Sequence, residues 1–503
     1  MSYVQIKGFE PDADPSEPGI LTDCDGLIPT LNGVTAIPSN VDVGVDALAS
    51  AAASAVSITN LDGTIDIYAA SKGTAATSVI YKLSGNTWGN ISAAGGTYSA
   101  NTAAQWTFAQ YGDTVLAAQL GDAIQATSSA TASFHTMSLS SGSFKARIIE
   151  TVLDFAVAFN LDDTNLASGT YGVAADRWIC SAAGNVYDWA TSIATQSTSG
   201  RLTDYPGPIT AGKRLGSNLV AYKRESMFFG QYVGAPEVWR WRAVPGEGLG
   251  TWGPYSVVNI ETAHIFWGFD NAYLYDGTRP IPIATNRVAS WFFDHLNIAE
   301  ADKMDGYHDR QNFRVYWFFP SSSGPALDRY ICYNYRADRW TQGLKNIQTA
   351  FEYLTPSRTY DGLNDIYSAT TYNDLPTAPY DNWQLTSSSP LFAVFDTANK
   401  IQTINGTPSD SSFTTGVIGT DDKISLIDRV RPRFRTAPSV GTQTHITLDV
   451  QGGAETTATM GTSIYRGGFD HVYAGRWHKF KHSYSGNMEI VGVDFRQRED
   501  SEE

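Results

Sequence analysis

The chain has little charge for its length. Only 17% of its 503 residues are Asp, Glu, Lys or Arg, which is low for a soluble globular protein. Long helical bundles and coiled coils need many Glu and Lys residues on their helix faces, so this class is excluded. Lys and Arg number 35 against 51 Asp and Glu, giving a net charge of −16. That balance excludes a protein whose whole surface holds nucleic acid.

Cysteines and long apolar runs are also scarce. Cys24, Cys180 and Cys332 are odd in number and far apart, without CxxC spacing. A disulfide framework and a cysteine zinc site are therefore excluded, and we expect three small buried thiols. No apolar segment follows Lys7 as it would in a secretory signal. The small-residue run at 47–55 is about half of a membrane span, so we interpret it as a short helix or loop and expect no membrane insertion.

Aromatic residues and a period of two dominate the rest of the chain. The 26 Tyr, 23 Phe and 13 Trp residues exclude a disordered chain. Residues 78–83 and 106–111 alternate between apolar and polar side chains and end at Gly, Asn or Asp. Many similar short runs follow, which is typical of strands joined by tight turns. Helical patterning is confined to residues 293–304.

The strand runs are grouped in packets of the length that propeller blades have. We therefore predict an all-β protein with a β-propeller of six to eight irregular blades over residues 45–404. A chain of β-sandwiches is the alternative, because it also has short strands and turns. The packets span residues 56–93, 98–141, 145–205, 213–258, 262–300, 305–346 and 347–400.

Both ends of the chain differ from this body. Residues 1–44 are rich in Pro and acids and predict an extended N-terminal arm that leads into the propeller. Residues 405–416 are typical of a linker, and the alternating segments after them predict a small antiparallel C-terminal β-sandwich within 405–503. The 11 Lys+Arg and 13 Asp+Glu of 405–503 leave 24 and 38 for residues 1–404, a net charge of −14 there.

Four arginines alternate along one predicted strand of the C-terminal part. Alternation places all four guanidinium groups on one face of the strand, where they need anionic partners. We consider three kinds of partner: acids on neighbouring strands, acids of another subunit, or a phosphate backbone. A subunit interface is the functional hypothesis for these residues, which are Arg429, Arg431, Arg433 and Arg435.

No standard enzyme motif is present, and we assign no catalytic residue, metal ligand or cofactor. Weaker patterns permit other chemistry. The histidines of the C-terminal part could bind a metal, acidic pairs could cleave glycosides, and residues 160–165 could bind calcium. Two dense aromatic patches could stack on sugars, or fill the core between blades. The histidines are His445, His471, His478 and His482. The acidic residues are Asp12, Asp14, Asp162, Asp163, Asp421 and Asp422, and the aromatic patches contain Trp239, Trp241 and Trp291.

A series of longer strings occurs in a distinctive order. The first, GFEPDADPSEPGILTDCDGLIPT, occupies residues 8–30. Later strings are DRWICS at 176–181, GRLTDYPGPI at 200–209, FDNAYLYDG at 269–277, VYWFFP at 315–320, YICYNYRADRW at 330–340 and GRWHKF at 475–480. In this order, and over most of its length, the chain resembles the β-propeller tail hub or nozzle proteins of short-tailed bacteriophages.

The resemblance implies a structural, non-enzymatic function. Such proteins form a ring, expected to be a hexamer, below the adaptor of the head-to-tail connector. The ring prolongs the DNA ejection channel, a needle or plug closes it, and tail fibres or spikes attach around it. The resemblance therefore implies a place in the virion tail after assembly in the host cytoplasm. Two alternatives stay open: a propeller that binds or cleaves host polysaccharide, and an adhesion module that docks a fibre.

Overall fold

The computed structural model of the chain is all-β, with 59% strand and 4% helix. It describes residues 2–72, 77–99, 105–128, 133–137, 142–166, 171–321, 324–354, 390–408, 410–462 and 467–499. Seven blades are arranged like a β-propeller, which confirms the predicted architecture and sets the blade number within the predicted range. No helix in these ranges is both long and apolar enough to cross a membrane.

Six short strands precede the first blade: β1 (Ser2–Gln5), β2 (Gly8–Phe9), β3 (Ile20–Asp25), β4 (Leu27–Pro29), β5 (Val34–Ala36) and β6 (Ser39–Asp42). Blade 1 contains β7 (Ala52–Thr59), β8 (Ile65–Lys72), β9 (Thr77–Ser84) and β10 (Thr87–Asn90), with β11 (Tyr98–Ser99) beside β9. Blade 2 contains β12 (Thr107–Tyr111), β13 (Thr114–Gln119), β14 (Asp122–Ser128) and β15 (His135–Thr136). Blade 3 contains β16 (Lys145–Val152), β17 (Phe155–Asp162), β18 (Val173–Cys180) and β19 (Ser199–Arg201).

Blade 4 contains β20 (Ile209–Leu215), β21 (Asn218–Lys223), β22 (Met227–Gly234) and β23 (Val238–Ala243). Blade 5 contains β24 (Val257–Asn259), β25 (His264–Trp267), β26 (Ala272–Tyr275) and β27 (Pro280–Pro282). Helix α1 (Ala289–His295) and a 3-10 helix (Ile298–Lys303) lead to blade 6, which contains β28 (Asp305–Asp309), β29 (Arg314–Pro320), β30 (Leu327–Asn334) and β31 (Arg339–Ile347). Another 3-10 helix (Ala93–Gly95) lies in the connection after blade 1.

The seventh blade joins the two ends of the ring. It contains β32 (Thr349–Leu354), β33 (Pro390–Phe395) and β34 (Ile401–Gly406), and its fourth strand is the N-terminal β6. Strand β32 also packs against β7 of blade 1, so the first strands of all seven blades follow one another around the axis. Residues 355–389 of the predicted seventh packet lie outside the described residues. Blades 3 and 6 agree with their predicted packets within a few residues. Blade 2 begins later than predicted, at Thr107, and blades 4 and 5 end at Ala243 and Pro282, well before their predicted ends at 258 and 300.

The remaining strands form two further sheets. They are β35 (Asp410–Thr415), β36 (Ile418–Gly419), β37 (Ser425–Thr436), β38 (Val440–Leu448), β39 (Glu455–Thr462), β40 (Phe469–Gly475), β41 (Trp477–Ser485) and β42 (Glu489–Glu499). One sheet has the order β4-β5-β42-β37-β40 with β1 beside β42, and the other has the order β2-β3-β35-β41-β38-β39 with β36 beside β41.

These terminal sheets combine strands from both ends of the chain. The N-terminal strands β1 to β5 lie within these sheets, with turns and bends between residues 11 and 19: Cys24 of β3, for example, stands opposite Phe413 of β35. Residues 405–416, predicted as a linker, include β35, so that prediction is wrong in part. The rings of Phe480 and Phe495, one from each sheet, lie 5.3 Å apart. A separate C-terminal sandwich stays a prediction.

One core joins the terminal sheets to the propeller. It contains buried side chains from blades 5 and 6, helix α1 and both terminal sheets. Trp340 of β31 is fully buried there and stacks on Tyr333 with ring centroids 4.4 Å apart. The terminal sheets therefore pack along the outer strand of blade 6. All three cysteines are free and buried, as predicted.

Candidate functional site

The four predicted arginines lie on one face of β37, as their alternation required. The intervening Val430 and Pro432 are buried, whereas the side chains of Arg429, Arg433 and Arg435 are 41%, 46% and 59% exposed. Strand β37 lies between β40 and β42. The arginines therefore point away from the core of the terminal sheets.

Acids on neighbouring strands pair with three of these arginines. Arg429 pairs with Asp470 of β40, Arg433 pairs with the buried Asp494 of β42, and Arg435 Nη1 lies 3.4 Å from Glu489 Oε1. The Asp470 carboxylate raises the pKa of Arg429. Arg431 forms no ion pair with any residue that the structure describes. Intramolecular pairing thus neutralises much of the row, and the interface assignment stays a prediction.

Two further arginines extend this row onto the neighbouring strand. Arg496 and Arg498 of β42 lie 3.3 and 3.0 Å from the carboxylate of Asp428. Arg496 stands directly opposite Arg429 in the register of the two strands. The sequence analysis missed both, although the alternation that predicted β42 continues through them. We call the resulting surface the arginine face; it contains Arg429, Arg431, Arg433, Arg435, Arg496 and Arg498.

The C-terminal histidines are packed rather than assembled into a metal site. His445, His478 and His482 are buried. His445 Nε2 lies 2.9 Å from His478 Nδ1, while His482 Nδ1 lies 3.0 Å from the hydroxyl of Tyr484. Burial lowers the pKa of His478, which favours the neutral form of that ring. His471 lies in β40. The described ranges contain no group of three His, Cys, Asp or Glu side chains that could hold a metal ion.

The acidic pairs make local structural hydrogen bonds. Asp162 accepts a hydrogen bond from the hydroxyl of Thr164 at 2.6 Å, and the neighbouring Asp163 forms a buried ion pair with Arg177. Asp163 is therefore already paired within the loop considered for calcium. Asp12 accepts hydrogen bonds from the backbone N–H groups of Ser290 and Trp291, and so caps helix α1.

Asp14 and Asp421 are engaged in the same way. Asp14 accepts hydrogen bonds from the backbone and the hydroxyl of Ser16, and Asp421 accepts one from Trp477 Nε1 at 2.7 Å. Asp422 is exposed beside it. These acidic pairs thus serve turns, a helix terminus and an indole.

The aromatic patches fill interior space, which was the second of the two predicted uses. Trp241 lies 5.4 Å from the ring of Trp178 in blade 3 and 6.0 Å from that of Phe159. Trp239 contacts Phe155 in the same wedge between blades 3 and 4. Trp291 packs edge-to-face on Phe9 of the N-terminal segment at 4.9 Å.

The axis of the propeller is crossed by side chains. Tyr255 donates a hydrogen bond to the carbonyl of Trp106 at 2.5 Å, and Gln105 donates one to the carbonyl of Lys303 at 3.2 Å. Asp305 of β28 is buried nearby, where burial raises its pKa to about 6 despite hydrogen bonds from Thr349 and Ala350. These contacts link the segment that leads into blade 2 to the segments before and after blade 5, across the ring.

A groove of about 530 Å³ lies beside these contacts. It is at the end of the propeller where β16 and β20 begin and where blades 4 and 5 turn from their second to their third strands. We call it the axial groove. The sequence analysis missed it, because its residues come from six separate segments that no motif connects. Its main lining side chains are Arg147, Arg224, Trp252, Phe269, Glu300 and Asp302.

Comparisons with known proteins give no family. No protein-family model matches the chain, and no curated protein does. Among solved structures, the crystal structure of the computationally designed Ika8 protein is similar with a TM-score of 0.38 and 8% sequence identity. The alignment covers 80% of this chain and 99% of that one.

Proposed function

We propose that this chain is a structural protein of a short-tailed phage tail, which forms a ring at the hub or nozzle. In this proposal six copies assemble below the adaptor, extend the DNA ejection channel and hold the needle or plug and the fibres or spikes. The protein is then located in the virion tail after assembly in the host cytoplasm, and it catalyses no reaction. The ordered sequence strings and the propeller fold are consistent with this function.

The observation that carries the proposal is the arginine face. Its six arginines face four carboxylates, those of Asp428, Asp470, Glu489 and Asp494, so two positive charges are in excess. Residues 1–404 carry a net charge of −14. A cationic surface beside an acidic body suits contacts between copies of one chain, because arginines are enriched at interfaces and homo-oligomers close by symmetry.

In this proposal the channel does not run through the axis of a single propeller. Tyr255 and Gln105 cross the axis, and a DNA duplex cannot pass through one propeller past them. The channel in this proposal therefore lies on the symmetry axis of the ring, between copies. Acidic walls suit such a channel, because they repel the phosphates of passing DNA.

Charge reversal on the arginine face tests the proposal. Arg431 and Arg435 are the best positions, since Arg431 forms no ion pair within the described residues and Arg435 is the most exposed of the paired arginines. Arg433 is left intact because it neutralises the buried Asp494. The matched control is Arg240→Glu with Arg242→Glu, two exposed arginines on one face of the outer strand of blade 4.

Native mass spectrometry at virion-like salt and concentration, with and without the adaptor, gives the readout. We expect hexamers of the wild-type protein and of the blade 4 control. The Arg431→Glu, Arg435→Glu variant should remain monomeric, with an unchanged circular dichroism spectrum. A wild-type chain that stays monomeric even with the adaptor, or cryo-EM of the parent particle without this chain in its tail, would contradict the proposal.

A further inference from the structure

The axial groove has the dimensions and walls of a small-molecule site. Its volume of about 530 Å³ lies within the ~300–1,000 Å³ range of such sites. Arg147 and Thr210 lie at the starts of the first strands of blades 3 and 4, while the 3-10 helix Ile298–Lys303 forms one wall. Closely packed blades hold these elements in place, so the groove is preformed.

A stacked aromatic pair forms the opposite wall. The rings of Trp252 and Phe269 stack with centroids 4.0 Å apart and planes 30° apart. Trp252 Nε1 donates a hydrogen bond to the carbonyl of Gly268 at 3.1 Å, which fixes the indole. Both rings are half-buried. The negative face of an aromatic ring attracts the weakly positive C–H groups on the flat face of a sugar ring.

One cation of the groove is available for a ligand. Arg224 lies 5.5 Å above the ring of Phe269 and is exposed. It forms no ion pair with the residues that the structure describes. The other two cations already have acidic neighbours, since Arg147 lies 3.8 Å from Asp302 and Lys303 pairs with Glu300. Arg224 can therefore neutralise one ligand carboxylate.

The two acids limit what else can bind. Glu300 and Asp302 are partly exposed, and each is held by its cation. Their carboxylate oxygens can accept hydrogen bonds from ligand hydroxyl groups. They also repel a ligand with several phosphates, because like charges at short range destabilise a complex. Hydroxyl groups, one flat apolar face and a single carboxylate are the features of a uronic acid.

We infer that the axial groove binds a carboxylated saccharide, with a sugar ring on an outward face of the stacked pair Trp252 and Phe269 and its carboxylate at Arg224. The hydroxyl groups of the sugar donate to Glu300 and Asp302. The inference concerns binding alone. It goes beyond the proposed tail function and does not depend on it, since the arginine face lies on another part of the chain.

Isothermal titration calorimetry on the full chain tests the inference with three probes: galacturonate, galactose and inorganic phosphate. We expect saturable binding of galacturonate, at least tenfold weaker binding of neutral galactose and no competition by phosphate. Arg224→Gln should weaken galacturonate binding at least tenfold and leave the melting temperature unchanged, because Arg224 is exposed and forms no ion pair within the described ranges. The matched control is Arg279→Gln, an exposed arginine in the turn at the opposite end of blade 5.

Several results would overturn the inference. Absence of galacturonate binding at millimolar concentration would do so, as would equal affinity for galactose. Equally effective competition by phosphate would show a simple anion site instead. Unchanged affinity in a folded Arg224→Gln protein would place the ligand elsewhere. None of these results bears on ring formation, which native mass spectrometry measures separately.

Discussion

His264 connects two blades through both nitrogens of its ring. It is fully buried in β25 of blade 5. Its Nε2 lies 2.8 Å from the carbonyl oxygen of Arg214, which can only accept, so Nε2 carries the proton. Its Nδ1, 2.9 Å from the hydroxyl of Tyr222, therefore accepts from that group. Both partners belong to blade 4, and a second proton on this ring would disrupt the Tyr222 hydrogen bond.

Acid should therefore loosen the contact between blades 4 and 5. Burial and the nearby Lys213 lower the pKa of His264 from 6.5 to about 4. Because the folded protein binds the proton more weakly than the unfolded chain, stability is full above pH 6.5 and declines as the pH falls towards 4. The difference corresponds to ~3 kcal/mol below both pKa values and to ~2 kcal/mol at pH 5.

Urea unfolding at pH 7, 6 and 5, followed by tryptophan fluorescence, measures this loss. Hydrogen exchange of peptides from β21 and β25 localises it. We expect His264→Gln, which cannot titrate, to lose ~2 kcal/mol less than the wild type between pH 7 and pH 5. Tyr222→Phe is the matched control, because it removes the same hydrogen bond and keeps the imidazole. Identical pH dependence in wild type and His264→Gln would refute the reasoning.

Three further substitutions test the packing. Trp340→Ala should lower the free energy of unfolding by ~3–5 kcal/mol, since this fully buried indole joins blade 6 to the terminal sheets. Urea unfolding measures this loss, and a loss below ~1 kcal/mol would contradict the prediction. Arg177→Met should lower the free energy of unfolding by a similar ~3–5 kcal/mol, because it leaves the Asp163 carboxylate buried without its cation. An unchanged melting curve would refute that ion pair. Gly250→Ala should open the turn beside the axial groove, because the new Cβ would lie 1.8 Å from the carbonyl oxygen of Arg224. Limited proteolysis should then cleave the chain near Arg224, and an unchanged cleavage pattern would contradict this close approach.

The blades could be predicted from local sequence because each is built from neighbouring strands. Alternation and turn residues mark strands such as β9 (Thr77–Ser84) and β12 (Thr107–Tyr111), and in blades 1 to 6 each strand pairs with the strand next to it in the chain. Register and spacing are then local properties. The alternating arginines of β37 were placed on one face for the same reason.

The wrong interpretations concern segments whose partners are distant in sequence. Residues 47–55 were expected to form a helix or loop, yet β7 begins at Ala52. Its small residues suit an innermost strand, where β7 packs against β32 from the other end of the propeller. Residues 410–415 have turn-like composition and become a strand because β3 and β41 pair with them on both sides.

The sequence alone determined the all-β class, the blade packets, the buried thiols and the exposed arginine row, since each depends on side-chain periodicity or composition within a few dozen residues. Tertiary structure decided the closure of the ring by β6, the mixing of both chain ends in the terminal sheets and the filled axis. It also decided the assembly of the axial groove from Arg224, Trp252, Phe269 and the segment at 298–303. These features join residues whose separation along the chain carries no local signal, so only the packing of complete blades brings them together.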